Sequence, residues 1–253
     1  HIEILNCEHW VSKKETKLEF KSPDKSTLGK IVPNIIIDEF FSNKILRNSK
    51  HINMSDHYEI TPKIDDNKIA ITDKSGQKNF ADLLFYSASS CDHDFLNNFE
   101  FVEKKLDQVA ISASVHVQRK QHNLACQLFT QDGPIALLPV KDNEASVVWS
   151  LDKNSSILKL SPNDLESQLN ILFKNHVSKL KIKNIQTQKL SFSYAKNMYH
   201  DKIVLIGNVA HNIHPIAGQG FNLTVKDISK IVYYITKYRS LGLNFNSTQV
   251  LES

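Results

Sequence analysis

Glycine is scarce in this chain, and its distribution constrains the fold more than any other feature of the sequence. Three of the seven glycines lie between positions 207 and 220. The four apolar residues Ile203 to Ile206 directly precede the first of them and have the composition of a short buried strand. After the last of them, aliphatic residues recur at helical spacing: Ile228, Ile231, Val232 and Ile235. We therefore predict a strand, a loop and a helix that begins near Asn222.

Two glycines flank the predicted start of this helix. Gly218 and Gly220 lie on either side of Gln219. Glycine lets a ligand approach the backbone closely, and the free amides at a helix start favour an anion or a polarised oxygen. A glycine-rich turn that only caps a helix is the simpler alternative. The concentration of glycine in this one stretch favours a binding role.

The stretch around these glycines resembles the second flavin-binding motif of the class A flavin monooxygenases. Among these para-hydroxybenzoate hydroxylase-like enzymes, the resemblance is to the ubiquinone-biosynthesis hydroxylases. Their motif contains G-D-A-A-H, then H-P, then G-Q-G, and ends in N-L. The corresponding residues of this chain are Gly207, Asn208, Val209, Ala210, His211, His214, Pro215, Gly218, Gln219, Gly220, Phe221, Asn222 and Leu223.

The resemblance implies a role for several matched positions. It implies that FAD contacts the following residues: Gly207, Asn208, Gly218, Gln219, Gly220, Phe221 and Asn222. Backbone amides around Gln219 would face the flavin pyrimidine, where fixed dipoles stabilise negative charge. Pro215 would shape the flavin edge and is the candidate catalytic residue, whereas His211 would be structural. We predict no metal site, because His211 and His214 have no third ligand near them in the sequence.

Several positions depart from the family pattern, and each departure removes a cofactor contact. Asn208 replaces the aspartate that holds the ribityl chain, so a charge-assisted hydrogen bond becomes a neutral one. Ala88 and Ser89 replace an Asp-Gly pair, and Phe95 stands where the family has an arginine. No G-x-G-x-x-G segment for the pyrophosphate occurs in the sequence. We therefore expect this chain alone to be inactive and not to retain FAD on purification.

A second match, from Leu124 to Ser150, resembles the antiparallel sheet that covers the aromatic substrate in the same family. The G-P turn, a strand ending in L-P and a strand ending in W-S are shared with that family. Alternation of apolar residues marks Val109 to Val117 as a long strand. We expect it to pair with strands at Ile135 to Val140 and Ser146 to Ser150 in one antiparallel sheet.

The predicted fold is mixed α/β. It combines an FAD/NAD(P)-binding Rossmann-like layer, incomplete on its N-terminal side, with an antiparallel substrate domain. The predicted substrate domain contains residues 1–20 and 96–192, and the FAD-binding domain contains residues 21–95 and 193–253. A helix with a broad apolar stripe is predicted from Asn34 to Leu46, and a strand from Ala81 to Tyr86 in the same layer as the strand before Gly207. The sequence enters a strand pattern directly after His1, so we expect either a fragment of a longer protein or a degenerate one.

These features predict an FAD-dependent aromatic-ring hydroxylase, a monooxygenase of ubiquinone biosynthesis. By the resemblance, NAD(P)H reduces the FAD, and the substrate is a polyprenylated phenol or quinone precursor. Two alternatives stay open. One is a non-catalytic or degenerate family member that serves in assembly of the ubiquinone-biosynthesis machinery. The other is a quinone- or lipid-binding module.

Composition and charge narrow the possible partners and locations. Basic residues exceed acidic ones by only four and are scattered, so we expect no nucleic-acid partner. No apolar run approaches the length of a membrane span, and no secretory signal opens the sequence. We expect a cytoplasmic location. A lipid-borne substrate implies, in addition, peripheral contact with the inner membrane or membership of a ubiquinone-biosynthesis protein complex.

Overall fold

The chain forms three α-helices and fourteen strands in the residues that the computed structural model describes, which are 2–6, 16–20, 28–47, 50–52, 63–65, 68–72, 76–88, 94–119 and 124–244. The helices are α1 Asn34–Arg47, α2 Pro162–Leu172 and α3 Gln219–Ser240. The strands are β1 Ile2–Asn6, β2 Thr16–Phe20, β3 Lys63–Asp65, β4 Lys68–Thr72, β5 Lys78–Ala81, β6 Leu84–Tyr86, β7 Phe101–Arg119, β8 Ala125–Thr130, β9 Gly133–Lys141, β10 Glu144–Asp152, β11 Val177–Ala195, β12 Tyr199–His200, β13 Ile203–Leu205 and β14 His211–Asn212. Short 3-10 turns lie at Asp94–Asn98, Ser156–Lys159, Gly207–Val209 and Ile216–Gly218.

The chain divides into two compact units. The sheet unit contains His1–Ile52 and Asp107–Leu190, and the loop–helix unit contains Asn53–Leu106 and Ser191–Ser253. Residues 21–52, which the sequence assigns to the FAD-binding domain, fall in the sheet unit. The two units are defined by contacts within the chain, and the division by function stays a prediction.

The sheet unit is built on strands that lie side by side in the order β11, β7, β10, β9, β8, β1 and β2. Val147 of β10 is paired with Ala113 on one side and with Leu137 on the other, both in antiparallel register. Alternate side chains of each strand point to the same face, and Trp149 lies fully buried in the core on that face. The predicted antiparallel sheet of three strands is therefore confirmed.

Helix α2 covers this core with its apolar side. Leu165 and Leu169 are buried in the same cluster as the sheet residues. Ser161 caps the helix by accepting a hydrogen bond from the amide of the third helical residue, at 3.2 Å. The side chain of Asn170 donates to the carbonyl of Leu180 and accepts from its amide, both at 2.8 Å. Asn170 thus joins α2 to β11 as a neighbouring strand would.

The loop–helix unit contains the strand pair that precedes the glycine-rich loop. β13 is parallel to β6, with Leu205 opposite Tyr86, and antiparallel to β12. The prediction that β6 and β13 lie in one layer is confirmed. The predicted strand from Ala81 to Tyr86 is interrupted, however. Ala81 pairs with Ile69 in the separate sheet β3-β4-β5, so the chain changes sheets before Leu84.

Helix α1 has nearly the predicted bounds, but its apolar stripe is not buried. Its large apolar residues are exposed: Ile35, Ile36, Phe40, Phe41 and Leu46. The predicted helix is therefore confirmed, and none of its residues is buried by the described part of the chain. Among the described residues, no helix is both long and apolar enough to cross a lipid bilayer.

Gly133 is the backbone position at which the sheet unit should be most sensitive to substitution. Its φ is +128°, and a Cβ added there would lie 2.1 Å from the carbonyl oxygen of Ser150. We expect Gly133→Ala to lower the free energy of unfolding by about 2 kcal/mol or more, because backbone must shift. Urea unfolding measures the loss. The matched control is Gly29→Ala, where the added Cβ meets no atom within 4 Å, and equal stability of both variants would contradict this packing.

Candidate functional site

Strand β13 leads into the glycine-containing loop. Its three residues are all buried. At Gly207 the backbone has a φ of +72°, which is the left-handed region. A Cβ added there would lie 3.0 Å from the Oγ of Ser87. Both the backbone conformation and the available space therefore favour glycine at the point where the chain leaves the strand.

Asn208 is accessible on a turn that is otherwise buried. It lies in the middle of the 3-10 turn Gly207–Val209 and is exposed, whereas Val209 and Ala210 are buried. The amide of Ala195 donates a hydrogen bond of 2.8 Å to the carbonyl of Ala210. The turn is thus fixed to the unit while the side chain of Asn208 is free to meet a ligand.

Strand β14 attaches the next part of the loop to two other elements. His211 pairs with Tyr194 of β11 in antiparallel register. The Nδ2 of Asn212 donates to the Oγ of Ser191 at 2.8 Å. On the other side, the Nε2 of buried His211 lies 2.6 Å from the Oδ2 of Asp227 in α3. The loop is therefore held between β11 and α3.

The second half of the loop is closed by its own hydrogen bonds. The amide of Ile216 donates to the Nδ1 of His214 at 3.3 Å, and the amide of Gly218 donates to the carbonyl of Pro215 at 3.0 Å. Burial lowers the pKa of His214 below its ordinary value. Because Nδ1 must accept a hydrogen bond here, the neutral imidazole is the form that fits the loop.

Helix α3 begins without a side-chain cap. Gly218 occupies the cap position with a φ of +59°, in the left-handed region. A Cβ placed at Gly218 or Gly220 would meet no atom within 4 Å. The other predicted cofactor residues at the helix start are exposed: Gln219, Phe221 and Asn222. The turn Gly207–Val209 packs against α3.

These features fit the flavin half of FAD. The start of the 22-residue helix has no capping side chain, so amides of its first turn and the helix dipole are available to a polarised oxygen. The carboxamide of Asn208 can accept a hydrogen bond from a ribityl hydroxyl. The pyrophosphate is different, because the sequence contains no G-x-G-x-x-G segment. The seven predicted cofactor residues and Pro215 all lie in the segment from Gly207 to Asn222, and the role of each stays a prediction.

Helix α3 turns a different face inward from the one that the sequence predicts. Its half-buried residues are Gly220, Leu223, Thr224, Asp227, Ile231, Tyr234, Ile235 and Tyr238. Ile228 and Val232 are exposed, so the predicted stripe is wrong for these two residues. The contact between Asp227 and His211 places the acid, rather than the neighbouring isoleucine, on the inner face.

Asp227 is the site residue that sequence reasoning missed. A lone acid in the middle of a helix is read most simply as a solvated side chain. The available signal is its spacing: it lies four residues after Leu223 and four before Ile231, which places all three on one helical face. An acid on an inner face needs a partner, and the buried His211 provides it.

The departures from the family pattern are only partly visible. Ala88 is half-buried and packs against the core of the loop–helix unit. Ser89 and the side chain of Phe95 lie outside the described part of the structure. Within the described ranges, no three potential ligands among His, Cys, Asp and Glu lie close enough together to hold a metal ion.

Comparison with known proteins supports the resemblance. A model of the FAD binding domain family matches residues 75–238. Mitochondrial ubiquinone biosynthesis monooxygenase COQ6 of Mus musculus is 28% identical over 58% of this chain and 38% of its own length. Ubiquinone hydroxylase UbiL of Rhodospirillum rubrum is 29% identical over 54% of this chain and 33% of its own length. 3-Demethoxyubiquinol 3-hydroxylase of Escherichia coli is 29% identical over 57% of this chain and 38% of its own length. The matched segments thus cover well under half the length of each of these relatives.

Solved structures with low sequence identity share the fold. The myxobacterial chondrochloren halogenase CndH, an FAD-dependent halogenase, matches 99% of this chain and 61% of its own, with a TM-score of 0.72 and 12% identity. The flavin-dependent brominase Bmp2 matches 97% of this chain and 63% of its own, with a TM-score of 0.67 and 14% identity. The predicted mixed α/β fold is therefore confirmed.

His214 should make the stability of the loop–helix unit depend on pH. Because its pKa is lowered in the folded state, the unfolded chain binds the proton first, and the stabilising contribution of neutral His214 is lost as pH falls below about 6.5. In His214→Asn, an amide oxygen can still accept from Ile216 but cannot titrate. We expect the urea midpoint of the variant to fall less than that of the native chain between about pH 7.5 and pH 5. An equal fall in both proteins would contradict the prediction.

Proposed function

The chain belongs to the FAD binding domain family, and on this premise we propose that it carries the flavin-contacting part of an FAD-dependent aromatic-ring hydroxylase of ubiquinone biosynthesis. The observation that carries the proposal is the conformation of the loop between Gly207 and Gly218. Two left-handed glycines bracket it, and an uncapped helix start follows. This arrangement presents free backbone amides and an accessible Asn208 to one ligand.

The names of the relatives support the substrate class. They are a ubiquinone biosynthesis monooxygenase, a ubiquinone hydroxylase and a 3-demethoxyubiquinol 3-hydroxylase. Each name combines a monooxygenase or hydroxylase activity with ubiquinone or a ubiquinol. The proposed substrate is therefore a polyprenylated phenol or quinone precursor, and NAD(P)H is the proposed reductant.

The residues of this chain would bind and orient the cofactor. Bound FAD supplies the redox chemistry, since in its reduced form it activates oxygen for transfer to an aromatic ring. The amides at Gln219 and Gly220 would stabilise negative charge on the flavin pyrimidine, because a fixed dipole needs no reorganisation. Asn208 would accept from the ribityl chain. Pro215, fixed by its carbonyl contact with Gly218, would shape the edge of the flavin at which the ring is positioned.

The sheet unit would supply a wall for the substrate. Its face opposite the α2-covered core carries the small side chains Ser112, Ser114 and Ser146, and Ser146 is paired with Ser114 across β10 and β7. Small residues leave room for a planar ring, and hydroxyl groups can orient a phenol. The resemblance of Leu124 to Ser150 to the substrate-covering sheet of the family favours this assignment over a purely structural sheet.

The polyprenyl tail would bring the protein to a membrane. An apolar tail of this kind resides in the bilayer, so the substrate ring must be taken from the membrane surface. We propose peripheral contact with that surface, made directly or through a complex of ubiquinone-biosynthesis proteins. The net charge of +4 would favour an anionic lipid surface.

A second candidate is a non-catalytic family member that serves in assembly. Asn208 and Ala88 favour it, because each replaces a carboxylate that contacts the cofactor in the family. Such a protein would keep the fold and the loop but bind flavin weakly. The two candidates differ in flavin affinity, which can be measured on this chain.

Flavin affinity should respond to the charge at position 208. We expect the purified chain to be colourless, and Asn208→Asp to tighten FAD binding about tenfold to a hundredfold by restoring a charge-assisted hydrogen bond. Even so, the variant should lose FAD on purification, because the pyrophosphate has no G-x-G-x-x-G partner in the sequence. Quenching of flavin fluorescence measures both affinities.

Asn212→Asp is the matched control for this experiment. It adds the same charge four positions later, where the side chain is hydrogen-bonded to Ser191 instead of being exposed. We expect no tightening in this variant. Equal tightening by both substitutions would contradict the assignment of Asn208 as a ribityl contact. A yellow native protein would contradict the prediction that this chain does not retain FAD.

A further inference from the structure

We propose that Asp227 is a positioning residue, which acts through His211 to hold the Gly207–Gly218 loop in its ligand-binding shape before any cofactor is present. The claim about the loop stands on its own, whereas its consequence for flavin rests on the proposed function. Neither the family motif nor the sequence pattern assigns a role to Asp227. Three features of the molecule support this role: the hydrogen bond, the packing of α3 and the chemistry of the imidazole.

The hydrogen bond between these two side chains is short and sheltered. The Nε2 of His211 and the Oδ2 of Asp227 are 2.6 Å apart. The side chain of His211 is 4% exposed and that of Asp227 is 21% exposed. Hydrogen bonds to a carboxylate are about twice as strong as neutral ones, and shelter from water strengthens them further.

Helix α3 depends on this bond because packing holds it weakly. None of its 22 residues is buried. The apolar residues on its inner face are only half-buried, so they fix the rotation of the helix about its axis less firmly than fully buried residues would. The contact at Asp227 lies between two and three turns after the cap at Gly218, close enough to set the direction of the amides at the helix start.

The presence of histidine at position 211 also supports a positioning role for Asp227. Its Nδ1 is buried and has no hydrogen-bond partner. A buried polar atom without a partner destabilises the fold, and an apolar side chain would avoid that cost. Histidine is therefore explained by the contact that its other nitrogen makes. Asp227 accepts from Nε2–H, and this fixes the orientation of the ring within the loop.

Hydrogen exchange followed by mass spectrometry tests this role in the chain without flavin. We expect Asp227→Ala and His211→Asn each to raise exchange of the amides between positions 211 and 220 about tenfold, since Asp227→Ala removes the acceptor and His211→Asn removes the Nε2–H donor. The double variant should be no worse than either single variant, because both break the same bond. Exchange in β10 of the sheet unit should be unchanged in all of them.

Two further variants serve as a rescue and as a control in this experiment. His211→Gln places an amide N–H donor at the position of Nε2 and should restore most of the protection that His211→Asn loses. The matched control is Asp142→Ala, which removes an exposed acid in the turn between β9 and β10 and should leave the loop unchanged. Loss of protection in the double variant that equals the product of the single losses would overturn the proposal. Equal exchange in His211→Asn and His211→Gln would also overturn it. So would an increase in exchange that extends evenly over β6 and β13.

FAD affinity of the same variants separates this inference from the proposed function. If the same variants increase exchange in the loop and weaken FAD binding, the positioning role of Asp227 and the flavin assignment of the loop are both supported. If the loop loosens while FAD affinity is unchanged, the positioning role of Asp227 stands and the flavin assignment of the loop fails.

Discussion

The left-handed backbone at Gly207 and Gly218 is the constraint on which the candidate site depends. The first lets the chain leave a buried strand beside Ser87, and the second starts α3 without a capping side chain. Between these points the first part of the loop is fixed by buried side chains, and hydrogen bonds decide the shape of the rest. The contacts of His211, His214 and Pro215 supply them. The amides left over for a ligand are those of the first turn of α3, which has no capping side chain.

The parts of the fold that could be predicted are those with a short, strong pattern. Alternation from Val109 to Val117 gave the long strand because each strand face is either buried or exposed. The run Ile203 to Leu205 is buried on all sides, as continuous apolar residues require. The glycine motif located the loop because few other residues adopt its backbone. In each of these segments, the residue types alone indicate the local burial or backbone conformation.

The parts that could not be predicted depend on contacts between distant residues. An apolar stripe indicates which face of a helix can be buried, but not whether another element covers it, and α1 leaves that stripe exposed. In α3, the carboxylate of Asp227 accepts a hydrogen bond from His211, which is sixteen residues away in the sequence. This contact places Asp227 on the inner face, while Ile228 and Val232 are exposed. The break between Ala81 and Leu84 likewise follows from a choice of strand partner.

The proposed site would contact only the flavin half of FAD, and comparing ligands tests this proposal directly. Riboflavin, FAD and ADP-ribose would be titrated against the purified chain, with flavin fluorescence and competition as readouts. The proposed site predicts that riboflavin and FAD bind within about threefold of each other, because binding energy comes from the half that they share. It also predicts that ADP-ribose does not compete. FAD affinity more than about a hundredfold above that of riboflavin, together with competition by ADP-ribose, would contradict it.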